Sequence, residues 1–252
     1  MKKDFVSPIV VLGAMDIEIT EIEHALQDAE THTVAGYRFT EGYFEGKPVV
    51  AVRCLIGMVH SAAAVTLAIQ TYHPSFVLLQ GTSGGHSPKL HQYDIVLGEN
   101  LFATTVFWTP HRDAGQGSKI EDWTYPGVQT LIDGKKGNAV YFHGDEKLMA
   151  LAEKVPYSRG KVVRGTIGTG EIWVRELDRI RFCHEHFGTD CEEMEGFAVA
   201  QVCAQFGIPS VDIRVISNSE LFPDEAFSED TALACQKFCR DFLHSFVQKF
   251  QK

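Results

Sequence analysis

The chain has 252 residues and a formal net charge of −10, with 23 Lys and Arg against 33 Asp and Glu. The length suits one α/β domain with a large core, and the acidic balance without a basic stripe argues against nucleic-acid binding. No apolar run approaches the ~20 residues of a membrane span, and the N-terminus lacks a signal-peptide pattern, so we expect a cytoplasmic protein that does not bind membranes.

The six cysteines lack the C-x-x-C spacing of many metal and redox sites, and we expect them to be reduced. Cys183, His184, His186 and Cys191 lie close together in sequence, but their spacing matches none of the usual zinc patterns. We therefore expect no metal and no cofactor.

The first third of the chain alternates short buried strands with helices. The run P-I-V-V-L-G-A over residues 8–14 is rich in β-branched residues and predicts a strand that is buried on both faces. It passes directly into a helical pattern over 18–26. The alternating runs 37–43 and 49–54 predict a hairpin, and an Ala-rich helix over 61–72 follows it.

Glu18 stands where the first strand passes into the first helix. In open α/β sheets, ligands bind at the carboxyl ends of the strands, which makes this side chain a candidate site residue. The alternative is a first-turn glutamate that interacts favourably with the helix dipole.

The strand predicted over 76–80 runs into the glycine-rich segment G-T-S-G-G at 81–85. We predict a turn there, in which the backbone approaches a ligand closely and presents N–H groups and hydroxyls. No Lys follows the glycines, so the segment is not a phosphate loop of the Walker type. A plain tight turn is the alternative.

The middle of the chain is less regular. A third strand is predicted over 93–101, but 108–137 is polar and glycine-rich, with Trp123 and Tyr125 as isolated aromatic residues. We interpret this segment as a long loop or insertion of the kind that forms a lid or an interface. Further on, the patterns predict a short strand over 139–142, a helix over 146–154, a strand over 161–168 and a helix over 175–187.

Trp173 lies between that last strand and the helix after it. A flat apolar ring at the end of a strand could stack on a flat ligand. Packing in the core is the alternative for a single tryptophan.

The segment T-D-C-E-E-M-E-G at 189–196 carries four carboxylates in six positions. Either these acids cap the next helix, or they form a site in which a carboxylate binds hydroxyls or moves a proton. The helix predicted over 196–206 is apolar all round and should be buried. Glu195 at its start therefore needs partners, and two vicinal hydroxyls of a sugar would supply them.

The chain closes with a strand over 210–216, which leads to Ser217 and Asn218, and with a long amphipathic helix over 228–250. Phenylalanines recur on that helix at four-residue steps, and their face indicates core or subunit packing; they are Phe238, Phe242, Phe246 and Phe250.

Four motifs in this order resemble the purine nucleoside phosphorylase and nucleosidase superfamily, and within it the 5′-methylthioadenosine/S-adenosylhomocysteine nucleosidases. They are G-A-M-D-I-E, Q-G-T-S-G-G, E-E-M-E-G and R-V-I-S-N, and the likeness covers nearly the whole chain. The resemblance implies a single domain over 1–252 with three α/β/α layers and a mixed central β-sheet. It also implies a homodimer, in which partner residues close the 5′ end of the pocket, or a larger ring.

The resemblance implies a role for each matching residue in cleaving an N-glycosidic bond. Glu18 would orient and deprotonate the attacking water, Glu195 would accept hydrogen bonds from the sugar hydroxyls, and Asn218 would face the leaving base. Asp190, Glu192 and Glu193 are expected in supporting or solvated roles, with Glu193 bordering the pocket. The other residues expected to contact substrate or support the pocket are Ala14, Met15, Ile56, Thr82, Ser83, Gly84, Trp173, Val174, Met194, Arg214 and Ser217.

Asn218 departs from the nucleosidase branch, which has Asp at this position. An amide cannot act as a general acid, but it can donate a hydrogen bond to purine N7. Relatives that act on 6-oxopurine nucleosides, including certain phosphorylases and futalosine hydrolase, often carry Asn here. The resemblance implies 5′-methylthioadenosine and S-adenosylhomocysteine as substrates, with release of adenine. A 6-oxopurine nucleoside of the inosine or futalosine type is the alternative that Asn218 leaves open, and Glu220 is an alternative source of the acid.

Hydrolysis is favoured over phosphorolysis. Relatives that use phosphate usually carry a basic residue shortly before the glycine-rich segment, whereas this chain has Leu79 and Gln80 there. Glu18 would also repel phosphate. A non-catalytic nucleoside-binding protein is the other class that we consider, but a pure binder has no need for a water-activating glutamate.

Overall fold

The computed structural model describes residues 6–132 and 134–250. The strands are β1 (Ile9–Gly13), β2 (Gln27–Val34), β3 (Tyr37–Phe44), β4 (Lys47–Arg53), β5 (Phe76–Gly85), β6 (Ile95–Ala103), β7 (Val128–Ile132), β8 (Lys135–Ala139), β9 (Tyr141–His143), β10 (Val162–Thr169), β11 (Thr189–Glu193) and β12 (Ser210–Asn218). The helices are α1 (Asp16–Ala25), α2 (Met58–Tyr72), α3 (Glu146–Ala152), α4 (Leu177–Phe187), α5 (Gly196–Phe206) and α6 (Glu229–Phe250).

A ten-stranded mixed sheet in the order β11-β10-β6-β12-β5-β1-β4-β3-β2 forms the middle layer, with β9 paired to β6. The end of β5 also pairs antiparallel with β11, which closes β11, β10, β6, β12 and β5 into a barrel-like ring. This closure brings the acidic segment beside the glycine-rich end of β5. The predicted mixed sheet is confirmed.

The core lies on both faces of this sheet because the side chains of a strand alternate between its faces. In β1, Ile9 and Val11 pack in one apolar cluster with α1, α3 and α6. Val10 and Leu12 pack in a second cluster with α2 and α5. The three-layer α/β/α prediction is therefore confirmed.

The C-terminal phenylalanines belong mainly to this core. Phe238 and Phe242 are fully buried, and Phe246 packs against the same cluster. The side chain of Phe250 lies outside the described part of the structure. Of the two alternatives for this helix face, core packing is the one that the fold uses.

Four segments differ from the sequence predictions. Strand β2 was not predicted because all of its residues are exposed, so no apolar alternation marks it. The predicted turn at 81–85 is wrong, since β5 continues to Gly85. The stretch 108–137 is not structureless, because it holds β7, the start of β8 and a short 3-10 turn. Finally, the segment 189–193 is strand β11.

Among the described residues, no helix combines the length and apolarity needed to cross a bilayer. All six cysteines are buried free thiols. Within residues 6–132 and 134–250, no three His, Cys, Asp or Glu side chains are grouped so that they could hold a metal ion.

Candidate active site

A cavity of about 280 Å³ opens at the carboxyl ends of β1, β5, β10 and β12. This is the edge of an α/β sheet at which ligands bind. All of the site residues predicted from the sequence line it; they are Ala14, Met15, Glu18, Ile56, Thr82, Ser83, Gly84, Trp173, Val174, Glu193, Met194, Glu195, Arg214, Ser217 and Asn218. The fold thus brings them together, while their individual roles stay predictions.

Glu18 is buried and rigidly held. Its Oε2 accepts hydrogen bonds from the backbone N–H groups of Ala14 and Met15, both at 3.1 Å. Its Oε1 accepts from the N–H of Thr82 at 2.8 Å and from the Thr82 hydroxyl at 2.9 Å. The carboxylate therefore accepts hydrogen bonds at the start of α1, which agrees with the alternative of a glutamate in the first turn of the helix. It also accepts hydrogen bonds from β5 at the cavity wall.

Arg214 is fully buried at the floor of the cavity and is surrounded by acids. Its Nε donates to Asp212 Oδ1 at 2.8 Å, Nη1 lies 3.4 Å from Glu195 Oε2, and Nη2 lies 2.5 Å from Glu193 Oε2. Gly81 is required beside it, because a Cβ there would lie 2.7 Å from both Arg214 Nη1 and Glu18 Oε1. One guanidinium thus faces more carboxylates than it can neutralise.

The surplus of acid raises two pKa values. Burial raises the pKa of Glu195 to about 8, with Glu193 and Glu18 adding to the shift while Arg214 and the Gly57 N–H oppose it. Burial likewise raises the pKa of Asp212 to about 7. The cluster therefore retains a proton near neutral pH.

The two interpretations of the acidic segment were helix capping and a ligand site, and each of them fits a different residue. Glu193 caps α5, because its carboxylate accepts hydrogen bonds from the N–H groups of Glu195 and Gly196 at 2.8 to 2.9 Å and from the Thr169 hydroxyl. Glu195 makes no cap bond. Its Oε1 accepts from the Gly57 N–H at 2.8 Å, and the side chain borders the cavity.

Asn218 ends β12 and is oriented by its neighbour. The Ser217 hydroxyl lies 2.9 Å from Asn218 Oδ1 and 3.1 Å from the Ser83 carbonyl oxygen, so the two acceptors share its single hydrogen. The amide Nδ2 faces Gly84, where an added Cβ would lie 3.6 Å from it. The chain therefore presents an N–H donor to the cavity at this position.

The model of the phosphorylase superfamily matches residues 8–248 of this sequence. The chain belongs to the phosphorylase superfamily. The 5′-methylthioadenosine/S-adenosylhomocysteine nucleosidase of Bacillus pumilus (strain SAFR-032) is 33% identical over 213 residues, which cover 83% of this chain and 85% of that protein. This similarity also places the chain in that nucleosidase family, so the predicted enzyme class, N-glycosyl hydrolase, is confirmed at the level of the family.

Solved structures of the superfamily share the fold. The nucleosidase from Colwellia psychrerythraea 34H, in complex with adenine, has a TM-score of 0.77 and 27% identity and covers 95% of this chain and 96% of its own. Futalosine hydrolase of Helicobacter pylori strain 26695 has a TM-score of 0.78 and 27% identity and covers 95% and 98%.

The rim of the cavity is apolar and open. Trp173 is 62% exposed, so the core-packing alternative for this residue is wrong. Its ring makes an edge contact with Phe227 at 5.8 Å between centroids. Ile56 is 49% exposed at the same cavity. Glu220 also lines the cavity, but its Oε1 accepts a hydrogen bond from Arg175 at 2.9 Å.

Sequence reasoning missed His86, Glu192 and Phe227 as cavity residues. Glu192 was expected to be supporting or solvated, but it is only 8% exposed, so the solvated alternative is wrong. His86 directly follows the glycines at the end of β5, and that position was the only signal available for it. Asp190 is half-buried, and its Oδ2 accepts from the Thr166 N–H at 3.1 Å.

Proposed function

We propose that this protein is a purine nucleoside N-ribosyl hydrolase. The observation that carries the proposal is the placement of Glu18 and Glu195 on one buried cavity with an N–H donor from Asn218. Water would attack C1′ of the ribose, and the bond between C1′ and the purine nitrogen would break. The products would be a free sugar and a free base.

Each of these residues fits one charge that develops in the transition state. Glycosidic cleavage builds positive charge on the ribose and negative charge on the departing purine. Glu195 binds the sugar hydroxyls and, once the buried cluster has released its proton, stabilises the cation as a carboxylate. Glu18, held by four hydrogen bonds, activates water. Asn218 Nδ2 stabilises the base by donating to N7.

The charges around the cavity favour water over phosphate as the acceptor. Among the described residues that line it, Arg214 is the only Lys or Arg. Asp212, Glu193 and Glu195 already contact its guanidinium. An anion would therefore meet carboxylates without a free cation to bind it.

The first substrates to test are methylthioadenosine and S-adenosylhomocysteine, because the names of the curated relatives specify them. The exposed apolar rim formed by Ile56, Trp173 and Phe227 suits a thioether substituent at the 5′ position. Inosine-type and futalosine-type nucleosides are the second candidates, since Asn218 presents an amide where the nucleosidase branch has a carboxylic acid.

We also propose that the protein is cytoplasmic, that it forms a homodimer and that it acts in methionine salvage. Val59 is 78% exposed at the start of α2, and Ile56, just before that helix, is 49% exposed and lines the cavity. Such an apolar surface suits a second copy of the chain. Light scattering on the purified protein tests this point, and a monomer at micromolar concentration would contradict it.

Release of free base tests the activity. The protein is incubated with methylthioadenosine, S-adenosylhomocysteine, inosine and futalosine, each with and without phosphate. We expect release that does not depend on phosphate. A strict phosphate requirement would replace hydrolysis with phosphorolysis, and the absence of release from every substrate would leave the non-catalytic binding protein.

Glu18→Gln tests the mechanism. We expect kcat to fall by about 10³-fold or more, since the amide cannot accept the proton from water, while nucleoside binding by calorimetry is largely retained. Glu21→Gln is the matched control because Glu21 lies on the same helix but outside the cavity. Unchanged turnover in Glu18→Gln would remove this residue from the mechanism.

A further inference from the structure

The loop that carries Trp173 and Val174 runs over residues 170–176, between the end of β10 and the start of α4. Both side chains line the cavity, but Trp173 is exposed instead of packed in the core. An ion pair between Arg175 and Glu220 holds one end of the loop. The Arg175 side chain is exposed, and exposed pairs are weak anchors. The position of this cavity wall therefore depends on a further contact.

Glu171 supplies that contact, because it ties the loop to the N-terminus of α2. Its Oε1 accepts a hydrogen bond from the Met58 N–H at 2.6 Å. Helix α2 has no acidic residue in its own first turn, and its N-cap residue, Gly57, has no side chain that could accept from the first N–H groups. A carboxylate at this place satisfies a free donor and interacts favourably with the helix dipole. Glu171 thus caps a helix from a loop that is distant in sequence.

The start of α2 also contacts the acid expected at the ribose. The Gly57 N–H donates to Glu195 Oε1 at 2.8 Å. Gly57 has a φ of +103°, and a Cβ there would lie 2.8 Å from Glu171 Oε2. The close approach of the Glu171 carboxylate therefore requires glycine at this position. One turn of backbone contacts Glu171 on one side and Glu195 on the other.

We propose that Glu171 is a positioning residue that couples the cavity wall at Trp173 to the carboxyl group of Glu195. This inference rests on the proposed nucleosidase function and adds a residue to it. Glu171 does not itself line the cavity. It acts through the loop, which it holds in place, and through Gly57, whose N–H it keeps directed at Glu195.

Three variants separate the hydrogen bond from the charge. Glu171→Ala removes both the acceptor and the negative charge, whereas Glu171→Gln keeps an acceptor oxygen for the Met58 N–H. Glu176→Ala is the matched control, because Glu176 lies in the same loop, makes no side-chain cap bond and does not line the cavity. Its loss should change neither hydrogen exchange nor kinetics.

Amide hydrogen exchange, measured by mass spectrometry on peptides that cover 55–61 and 170–177, tests the coupling without reference to activity. In Glu171→Ala we expect both segments to exchange about 5-fold faster than in wild type, because the loss of a helix cap makes local opening easier. Glu171→Gln should stay within about 2-fold of wild type. Faster exchange in only one of the two segments, or in neither, would overturn the inference.

The pH dependence of kcat/KM tests the effect on Glu195. The Gly57 N–H lowers the pKa of this carboxyl, so its loss should raise that pKa further. The other charged or titratable groups that face Glu195 come from β12, β11, α1 and the end of β4; they are Arg214, Glu193, Glu18 and Cys54. All four are unchanged in the variants. Because the sugar cation needs a carboxylate, the rise of kcat/KM with pH should move upward by about 0.5 pH unit in Glu171→Ala.

The direction of this movement is diagnostic, since removal of a negative charge by itself would lower the pKa of Glu195. At pH 7 we expect kcat/KM to fall by about 10-fold in Glu171→Ala and by less than about 3-fold in Glu171→Gln. A fall without movement of the pH profile would assign Glu171 a purely structural role and overturn the inference. Equal losses in the two variants would also overturn it, because Gln retains the acceptor.

Hydrogen exchange separates this inference from the proposed function. If the wild-type protein cleaves no nucleoside, the hydrolase proposal fails. The exchange of 55–61 and 170–177 then decides alone: faster exchange of both segments in Glu171→Ala, with Glu171→Gln like wild type, supports the coupling, and any other pattern contradicts it.

Discussion

Replacing Glu195 by Gln should make the protein more stable at alkaline pH while it impairs sugar binding. Burial raises the pKa of Glu195 from an ordinary 4.5 to about 8. In the unfolded chain this carboxyl loses its proton above 4.5, whereas the native protein keeps the proton until about pH 8. Between these values the native state binds more protons, so stability falls as the pH rises. Gln carries no such proton and escapes the loss.

The size of the effect follows from the shift. A pKa raised from 4.5 to about 8 corresponds to at most roughly 5 kcal/mol. Two effects make the expected gain in stability smaller. Gln lacks the attraction between Glu195 Oε2 and Arg214 Nη1, which lie 3.4 Å apart. Asp212 also binds part of the proton that the cluster shares. We therefore expect the stability difference between variant and wild type to grow by about 2 kcal/mol from pH 5 to pH 8.

Urea denaturation at pH 5, 6.5 and 8 measures this difference, at one fixed protein concentration so that self-association does not contribute. Glu185→Gln, on the exposed side of α4, is the control, and its difference from wild type should not change with pH. A stability difference for Glu195→Gln that stays constant, or that shrinks as the pH rises, would refute the assignment of the buried proton to this cluster.

Three further substitutions test the supports of the site. Arg214→Met leaves the surrounding buried carboxylates without their cation, so we expect a loss of about 3–5 kcal/mol and a large drop in Tm; a Tm near that of wild type would contradict the charge balance. Ser217→Ala frees the Asn218 amide to rotate, and kcat/KM should fall by about 10-fold with only ~1 kcal/mol lost in urea denaturation; unchanged kcat/KM would show that the hydroxyl does not orient the amide. Asp145→Ala removes the N-cap of α3, whose carboxylate accepts from two N–H groups, and should cost ~1 kcal/mol without changing kcat; a loss of activity would contradict its purely structural role.

The sequence patterns located this site because its residues lie at the ends of predicted strands. A buried strand of the β1 type is visible as an unbroken apolar run, and Glu18 lies in the first turn of the helix that follows it. The carboxyl ends of parallel strands meet at one edge. Residues far apart in sequence could therefore be assigned to one cavity before any contact between them was known.

The closure of the ring could not be predicted in the same way. Glycines are depleted in strands, so the segment 81–85 indicated a turn. Its backbone remains extended because β11 and β12 pair on either side, and a Cβ at Gly85 would come within 3.3 Å of Ile216 and Ser219. Only the tertiary pairing reveals this use of glycine.

The acids of the segment 189–196 look alike in sequence, and the fold gives them different tasks. Glu193 accepts a hydrogen bond at the N-terminus of α5. Glu192 contacts His86 and Thr104. Glu195 contacts Gly57 and Arg214. No spacing rule separates these partners, because they come from distant strands and loops. The antiparallel pairing of β11 with β5 determines which residues each carboxylate contacts.

The acid cluster around Arg214 is better explained by ligand binding than by stability. Replacing a buried ion-pair network with apolar residues is often neutral or stabilising, so a core under selection for stability alone has no need of one. Here burial raises the pKa of both Glu195 and Asp212, which means that the folded state is destabilised by keeping these carboxyls. Such a cost is expected where the side chain must meet a ligand. The strongly shifted member that also borders the cavity is Glu195, the residue that would hold the ribose.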